Sequence, residues 1–426
     1  MKTKSIVSAV LLLTLAHAAQ ALSVSAEYLV HYETKANAVS TRDKNPIPMP
    51  HFEIPLSLLE IDFAKRLSPE IRDQLIFEKE GVSMVRWILN PEDTKWFLKV
   101  QKYFATKGLN LEKKYYFTGY QTASRSYLVE DPENKVQFSV KSSTDVTGGH
   151  WASKQQPVGE AIDSRLNADF LMQQQEKLRF KNFVIMDEPA IMKLPAVDQA
   201  VVIRDLADLN NQDSGFQHIP GFSVLHEDIG RRIAALNGSD DPLAYWTENY
   251  IKPVGKALGE FAARTGMQFD SPHSQNFLVE VSSGLVPTGR IVFRDMADLY
   301  IYKDMMMVLN LDADNYFKKF TQKGNMIDSI AAGFGPLHGN NSPEWVNSIQ
   351  YSAWSDVFFA EFEKEFELDS GLSLNDFKTG LGQQNGKYFQ NKYTINKENS
   401  ATATFWENMQ TVGTPLGTLN CSYIFR

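Results

Sequence analysis

The sequence predicts an α+β fold, an antiparallel sheet with helices, followed by a mainly helical C-terminal region. Three observations carry this. In KVQFSVKSST, Val136, Phe138 and Val140 alternate with Gln137, Ser139 and Lys141, the pattern of a strand with one apolar face. In DPLAYWTENYIKPVGKALGEFAARTG, residues 241–266, apolar side chains recur every three or four positions, the pattern of a helix. Two apolar runs, about 275–281 and 290–295, flank the turn SSGLVPTG and read as a hairpin.

The elements follow in chain order. MKTKSIVSAVLLLTLAHAAQALS opens with Lys2 and Lys4, then an apolar run at 6–15, then Ala19-Gln20-Ala21. This is the grammar of a secretory signal peptide over 1–21, because the run falls short of the ~20 residues a membrane span needs. An exported protein, periplasmic or secreted, is expected. Residues 22–50 are polar and end in NPIPMP, which reads as a mobile or extended lead-in to a helical region reaching 110. Ser68 then Pro69, and Asn90 then Pro91, are cap-and-first-turn pairs that predict helices. Gly108 marks the end of the second. Strands are expected over 114–129 and 135–144, a helix over about 159–180, and strands over 182–193 and 199–206. In the long helix, Asp241 and Pro242 make the start, Pro253 a kink and Gly266 the stop. From about 302 the chain reads as mainly helical. Beyond the signal, the expected units are 22–110, 111–230 and 231–426.

Composition narrows the function. The 426 residues carry 43 Lys+Arg and 51 Asp+Glu, a formal charge of −8 that becomes −10 once Lys2 and Lys4 are removed. That balance speaks against a nucleic-acid partner. No segment after the signal is long and apolar enough to span a membrane. Cys421 is the single cysteine, so no intrachain disulfide or Cys-based zinc site can form. No HExxH, Walker A, EF-hand or GxSxG pattern is present.

Two constellations carry chemistry. In SPHSQNFLVEV, His273 and Gln275 share a strand face, with Asn276 on the other side or at the strand entrance, and Asp295 closes the partner strand in FRDMAD. Asn276 and Asp295 offer hard oxygen ligands, which suit Mg²⁺ with phosphate oxygens and water as its other partners. The second is FSVKSSTDVTGGHWASK, with Arg165 downstream. Ser139 and Lys141 share the polar strand face, Ser143 and Thr144 lead into a loop with Gly148 and Gly149, and Lys154 follows. Hydroxyls, cations and bare loop amides make an anion cradle.

Together, YWTENYIKPVGKALGEFAARTGMQFDSPHSQNFLVEV and GRIVFRDMAD resemble the palm of the aerobactin-type, IucA/IucC-like family, the NRPS-independent siderophore (NIS) synthetases. There a long helix and EAHxQN precede an apolar strand and RD[FM]. FSVKSST resembles the family's LSL strand, and the similarity covers roughly 110–310. Ser271 and Pro272 stand where the family has Glu-Ala, and Lys141 where it usually has Arg. The resemblance implies an NIS-synthetase-like palm and an ATP- and Mg²⁺-dependent ligase. It would adenylate a citrate-like carboxylate, then pass it to an amine or alcohol, and a homodimer is compatible with it. By resemblance, Ser139, Lys141, Thr144, Lys154 and Arg165 hold phosphates or carboxylate. Gln275 contacts nucleotide, Asn276 and Asp295 hold Mg²⁺, and His273 meets the reacting carboxylate. His273, Arg165 and Lys141 are thus the catalytic candidates. A secreted kinase or AMP-transferase, and a non-catalytic ligand binder, remain alternative readings.

Overall fold

The computed structural model describes residues 24–36, 45–123, 125–146, 153–207, 215–269, 274–297, 299–301, 334, 343–346 and 348–371. His273, Gly148, Gly149, Cys421 and most of the expected helical C-terminal region lie outside the described residues.

The described residues open with helix α1 (Val24–Lys35), followed by strands β1 (Ile47–Pro55) and β2 (Glu60–Phe63). Helix α2 (Pro69–Leu75) leads into β3 (Ile76–Lys79) and β4 (Val82–Ile88). Helix α3 (Trp96–Thr106) precedes β5 (Lys114–Gln121), β6 (Ser126–Glu130) and β7 (Gln137–Lys141). Helix α4 (Val158–Leu178) is followed by β8 (Phe183–Ile185), β9 (Ala190–Leu194), β10 (Gln199–Asp205) and β11 (Phe216–Pro220). Then come α5 (Glu227–Leu236), α6 (Pro242–Trp246), a π-helical turn (Thr247–Ile251) and α7 (Lys252–Thr265). Strands β12 (Met267–Phe269), β13 (Phe277–Ser282), β14 (Pro287–Phe293) and β15 (Leu299–Ile301) precede helix α8 (Ser348–Ser370).

A nine-stranded sheet has the order β2-β9-β10-β7-β6-β5-β1-β4-β3, with every neighbour antiparallel. A four-stranded sheet has the order β11-β13-β14-β8, and β8 runs parallel to β14. Strand pairing crosses positions 110 and 230. Strands β1 to β4 join the large sheet, and β8 and β11 join the sheet of the 277–293 hairpin.

Two cores follow from strand alternation. Phe138 and Val140 point into a core with Phe52, Val85, Phe104 and Ile203, closed by α2 and α3. Phe277, Val279, Ile291 and Phe293 point into a second core with Phe183, Phe261, Phe358 and Phe362. The opposite faces meet each other. Leu128 and Tyr120 of the large sheet pack with Leu278 and Val292 of the small one, and with Ala26, Leu29 and Val30 of α1. The candidate site lies in this layer between the sheets.

The caps hold where local chemistry is simple. Ser68 accepts from the Ile71 amide at 3.3 Å and Asp241 from the Ala244 amide at 3.0 Å. Gly108 and Gly266 end their helices at φ +77° and +67°. Helix α3 starts later than Asn90 predicts. Asn90 makes a local turn to the Glu92 amide (3.0 Å), and Asp93 caps the helix instead, accepting from the amides of Lys95, Trp96 and Phe97 at 2.7–3.1 Å. The kink expected at Pro253 appears as the π-helical turn before it, since proline has no amide to continue the ladder.

The expected extended lead-in is corrected. Residues 24–35 form a docked helix with Ala26, Leu29 and Val30 buried, and 47–55 form a central strand. Pro48 and Pro50 hide that strand in the sequence. A register shift between Met49 and Pro50 accommodates them in the ladder.

Candidate functional site

Lys141 ends β7 on the face opposite Phe138 and Val140, as the alternation predicts. Ser139 shares that face, and β10 sets Arg204 directly across from Ser139. From the other sheet, the hairpin ends at Phe277 and Phe293, and the chain leaves through Arg294 and Asp295. Lys141 Nζ donates to Asp295 Oδ1, and Arg204 Nη2 stands 3.4 Å from the same oxygen. Two cations from one sheet thus converge on one carboxylate from the other.

Burial alone would raise the Asp295 carboxyl. The fields of Lys141, Arg204 and Arg125 outweigh it and hold the group well below the usual carboxylate range. Lys141 is 5% exposed, whereas the Asp295 side chain is 21% exposed, so the pair has one side toward solvent. Asp295 has φ +71°, a left-handed backbone that costs a non-glycine residue about 1–3 kcal/mol. Surrounding contacts must hold it there.

Glu188 supplies part of that hold. Its Oε1 accepts from Arg204 Nε at 2.6 Å. Its Oε2 accepts from the Ser164 hydroxyl and, at 3.2 Å, from the Met296 amide. Asn167, one helical turn beyond Ser164, donates to the Met296 carbonyl at 2.5 Å. Glu188, together with Asn167 of α4, therefore holds the amide and the carbonyl of Met296, the residue after Asp295. Burial lowers the affinity of Arg204 for its proton, but Glu188 and Asp295 more than restore it, so the guanidinium is held charged.

Arg294 anchors the other side. Its Nε donates to the Gln275 carbonyl at 2.8 Å, its amide to the Asn276 carbonyl at 3.2 Å, and its Nη1 to Glu33 of α1. Gln275 and Asn276 form the turn before β13, not its first residues, and face Asp295 and Arg294 across the end of the hairpin.

The second predicted constellation is only partly assembled. Thr144 and Lys154 pair backbone to backbone, at 2.9 and 2.7 Å, and close the base of the glycine-containing loop. The Thr144 hydroxyl is engaged locally with Val146. Arg165 is not joined to Lys141. Its ion-pair partners are Asp169 and, at 3.6 Å, Asp62. Arg66 completes that cluster with a bidentate contact to Asp187 at 2.7 and 2.8 Å. Two arginines among three carboxylates leave no positive excess there.

Arg204, Glu188, Glu33, Ser164 and Asn167 escaped sequence reasoning, and Arg294, visible as the first residue of the RD motif, carried no assigned role. The signal for two of them was present: Arg204 interrupts the apolar run VVIRDL, and Glu188 stands between Met186 and Ala190 in MDEPA. Charges inside apolar strands demand partners.

The architecture is an α+β fold with a cation–carboxylate junction between its nine-stranded and four-stranded sheets. No family model and no curated protein matches the chain. Among solved structures it is similar to the aerobactin synthetase IucC from a hypervirulent pathotype of Klebsiella pneumoniae, with a TM-score of 0.50 and 12% identity, over 81% of this chain and 60% of that one. It is also similar to the petrobactin biosynthesis protein AsbB from Bacillus anthracis str. Sterne, with a TM-score of 0.50 and 14% identity, over 76% of this chain and 60% of that one. At the level of fold, the chain resembles these two structures. It spans about 60% of the length of these two structures.

Proposed function

We propose that this protein is an ATP-dependent ligase that activates a citrate-like carboxylate and joins it to an amine or alcohol. The observation that carries the reading is the convergence of Lys141 and Arg204 on Asp295 at the end of the hairpin. The fold shared with two siderophore biosynthesis proteins supports it.

The chemistry balances simply. A substrate carboxylate oxygen attacks the α-phosphorus of ATP, the bond to the β-phosphate oxygen breaks, and pyrophosphate leaves. The amine nitrogen or alcohol oxygen then attacks the acyl carbon, AMP leaves with the bonding pair, and the nucleophile loses a proton. Both steps develop negative charge on oxygen, which fixed cations stabilise. Lys141 and Arg204 would supply that charge, with Ser139 beside them on the same face. Thr144 and Lys154 would set the loop over the phosphates, Gln275 would meet the nucleotide, and His273 the reacting carboxylate. Arg165 would enter this scheme only by exchanging Asp169 and Asp62 for a substrate anion.

The donor set fits Mg²⁺. Asp295 and Asn276 offer a carboxylate and an amide. Among the described residues no cluster of three His, Cys, Asp or Glu exists, so water and phosphate oxygens would complete the shell. Mg²⁺ would neutralise phosphate charge there. Lys141 would exchange its ion pair with Asp295 for one with phosphate.

Titration calorimetry with ATP and Mg²⁺ tests the reading. Wild type binds, and Asp295→Ala binds at least tenfold more weakly; no wild-type binding, or equal binding by both, removes it. Labelled ATP separates the rival chemistries. Pyrophosphate released only with carboxylate and amine present marks the ligase, γ-label on protein a kinase, and α-label on protein an AMP-transferase. Export is part of the proposal, and N-terminal sequencing of the mature protein, with a start at or near residue 22, tests it.

A further inference from the structure

We propose that Glu33, on helix α1, is a positioning residue for the Asp295 site and acts through Arg294. The inference rests on reading that site as the nucleotide pocket.

Glu33 and Arg294 lie 261 positions apart in sequence, and both are buried, 1% and 5% exposed. A buried guanidinium needs a carboxylate close by, and Glu33 receives its Nη1. The same guanidinium spends Nε on the Gln275 carbonyl (2.8 Å), and the Arg294 amide reaches the Asn276 carbonyl (3.2 Å). One residue therefore ties the turn 274–276 to the exit of the hairpin. The next residue is Asp295, at φ +71°, a conformation that persists only if its neighbours are fixed. Glu33 thus sets the direction in which Asp295 meets Lys141 and Arg204, and its charge also helps to hold Arg204 protonated.

Helix α1 is itself held firmly enough to serve as a reference. Ser25 donates to the Phe216 carbonyl, and Ser223 donates to the Tyr32 carbonyl at 2.7 Å, so both ends of α1 are bonded to the segment 216–223. Ala26, Leu29 and Val30 pack with Leu128 of one sheet and Leu278 of the other. The helix spans the seam between the sheets, and Glu33 carries that placement to the site.

The full chain is the test object, as wild type, Glu33→Gln and the double variant Glu33→Leu/Arg294→Met. The double variant leaves no lone buried charge, so its melting temperature stays close to wild type. Hydrogen exchange is followed at 274–277 and 294–297, and ATP–Mg²⁺ binding by calorimetry. In both variants, exchange in these two segments speeds up at least tenfold while the β7 and β10 amides keep their protection, and ATP binding weakens at least tenfold. Wild-type exchange in these segments in a folded variant overturns the proposal. So does undiminished ATP binding. If wild type binds no ATP, the ligase reading fails, while the exchange result alone still decides whether Glu33 positions this turn.

Discussion

His51 shows how one buried side chain sets a pH dependence. It lies 1% exposed on β1, with its ring edge-on to Phe117 at 6.2 Å. Burial, then the field of Arg86, lowers its pKa from 6.5 to about 4. The folded state therefore takes up the proton less readily than the unfolded chain. The His51 contribution is fully present above pH 6.5, falls as the pH drops toward 4, and is gone below that. The full loss is on the order of 3 kcal/mol. His51→Phe, which keeps the ring and removes the titration, should flatten the decline between pH 6.5 and 4.5. Urea midpoints measured at both pH values check this, and equal slopes in wild type and variant would refute it. Asp295 acts in the same direction at lower pH. Its folded pKa is depressed, so its contribution is present above the unfolded value of about 3.9 and is lost as the pH falls below it. Asp187 and Glu260 oppose it, because burial raises both carboxyls.

Among the elements, α7 and α8 pack at close range. A Cβ on Gly255 would lie 2.6 Å from the Phe358 carbonyl oxygen, and one on Gly259 the same distance from that of Phe362. Both obstacles are backbone, so neither can swing aside. Alanine gains about 1 kcal/mol of helix propensity at such positions, but overpacking costs about 1–3 kcal/mol, and separating the helices also loosens Phe358, Phe362 and Phe366. Gly259→Ala should be a net loss of about 1–2 kcal/mol in chemical denaturation. A variant as stable as wild type would mean the helices sit further apart. Ser68→Ala is the contrasting case. It removes the cap from the Ile71 amide without a clash, and about 1 kcal/mol should be lost with the packing of α2 intact.

On the scale of the whole molecule, the two sheets are locked by charge as well as by apolar packing. The periodicity of 136–141, the long helix at 241–266 and the hairpin around SSGLVPTG were legible because local pattern determines them. Strand β1 was not, because its prolines read as a break and only a bulge reconciles them with the ladder. Lys141 and Asp295 were separately legible as polar groups closing apolar strands, yet their meeting was not, because it spans 154 positions and depends on how the sheets face each other. Arg165 looked like a clamp from its place downstream of the cradle, but helical spacing puts Asp169 one turn away, and that partner takes it. Glu188 was invisible as a site residue, though it holds the junction together. It bonds Arg204 of the large sheet, Ser164 of α4 and the Met296 amide beyond the small sheet. Glu188→Ala leaves Arg204 buried with the longer Asp295 contact and the field of Glu33, and breaking such a pair costs about 3–5 kcal/mol. Replacing both partners, as Glu188→Leu/Arg204→Met, removes the lone charge, so the double variant should recover most of that loss. A double-mutant cycle in urea measures this coupling at about 2 kcal/mol or more. Additive single effects would show that the Glu188–Arg204 pair adds nothing to the junction between the two sheets.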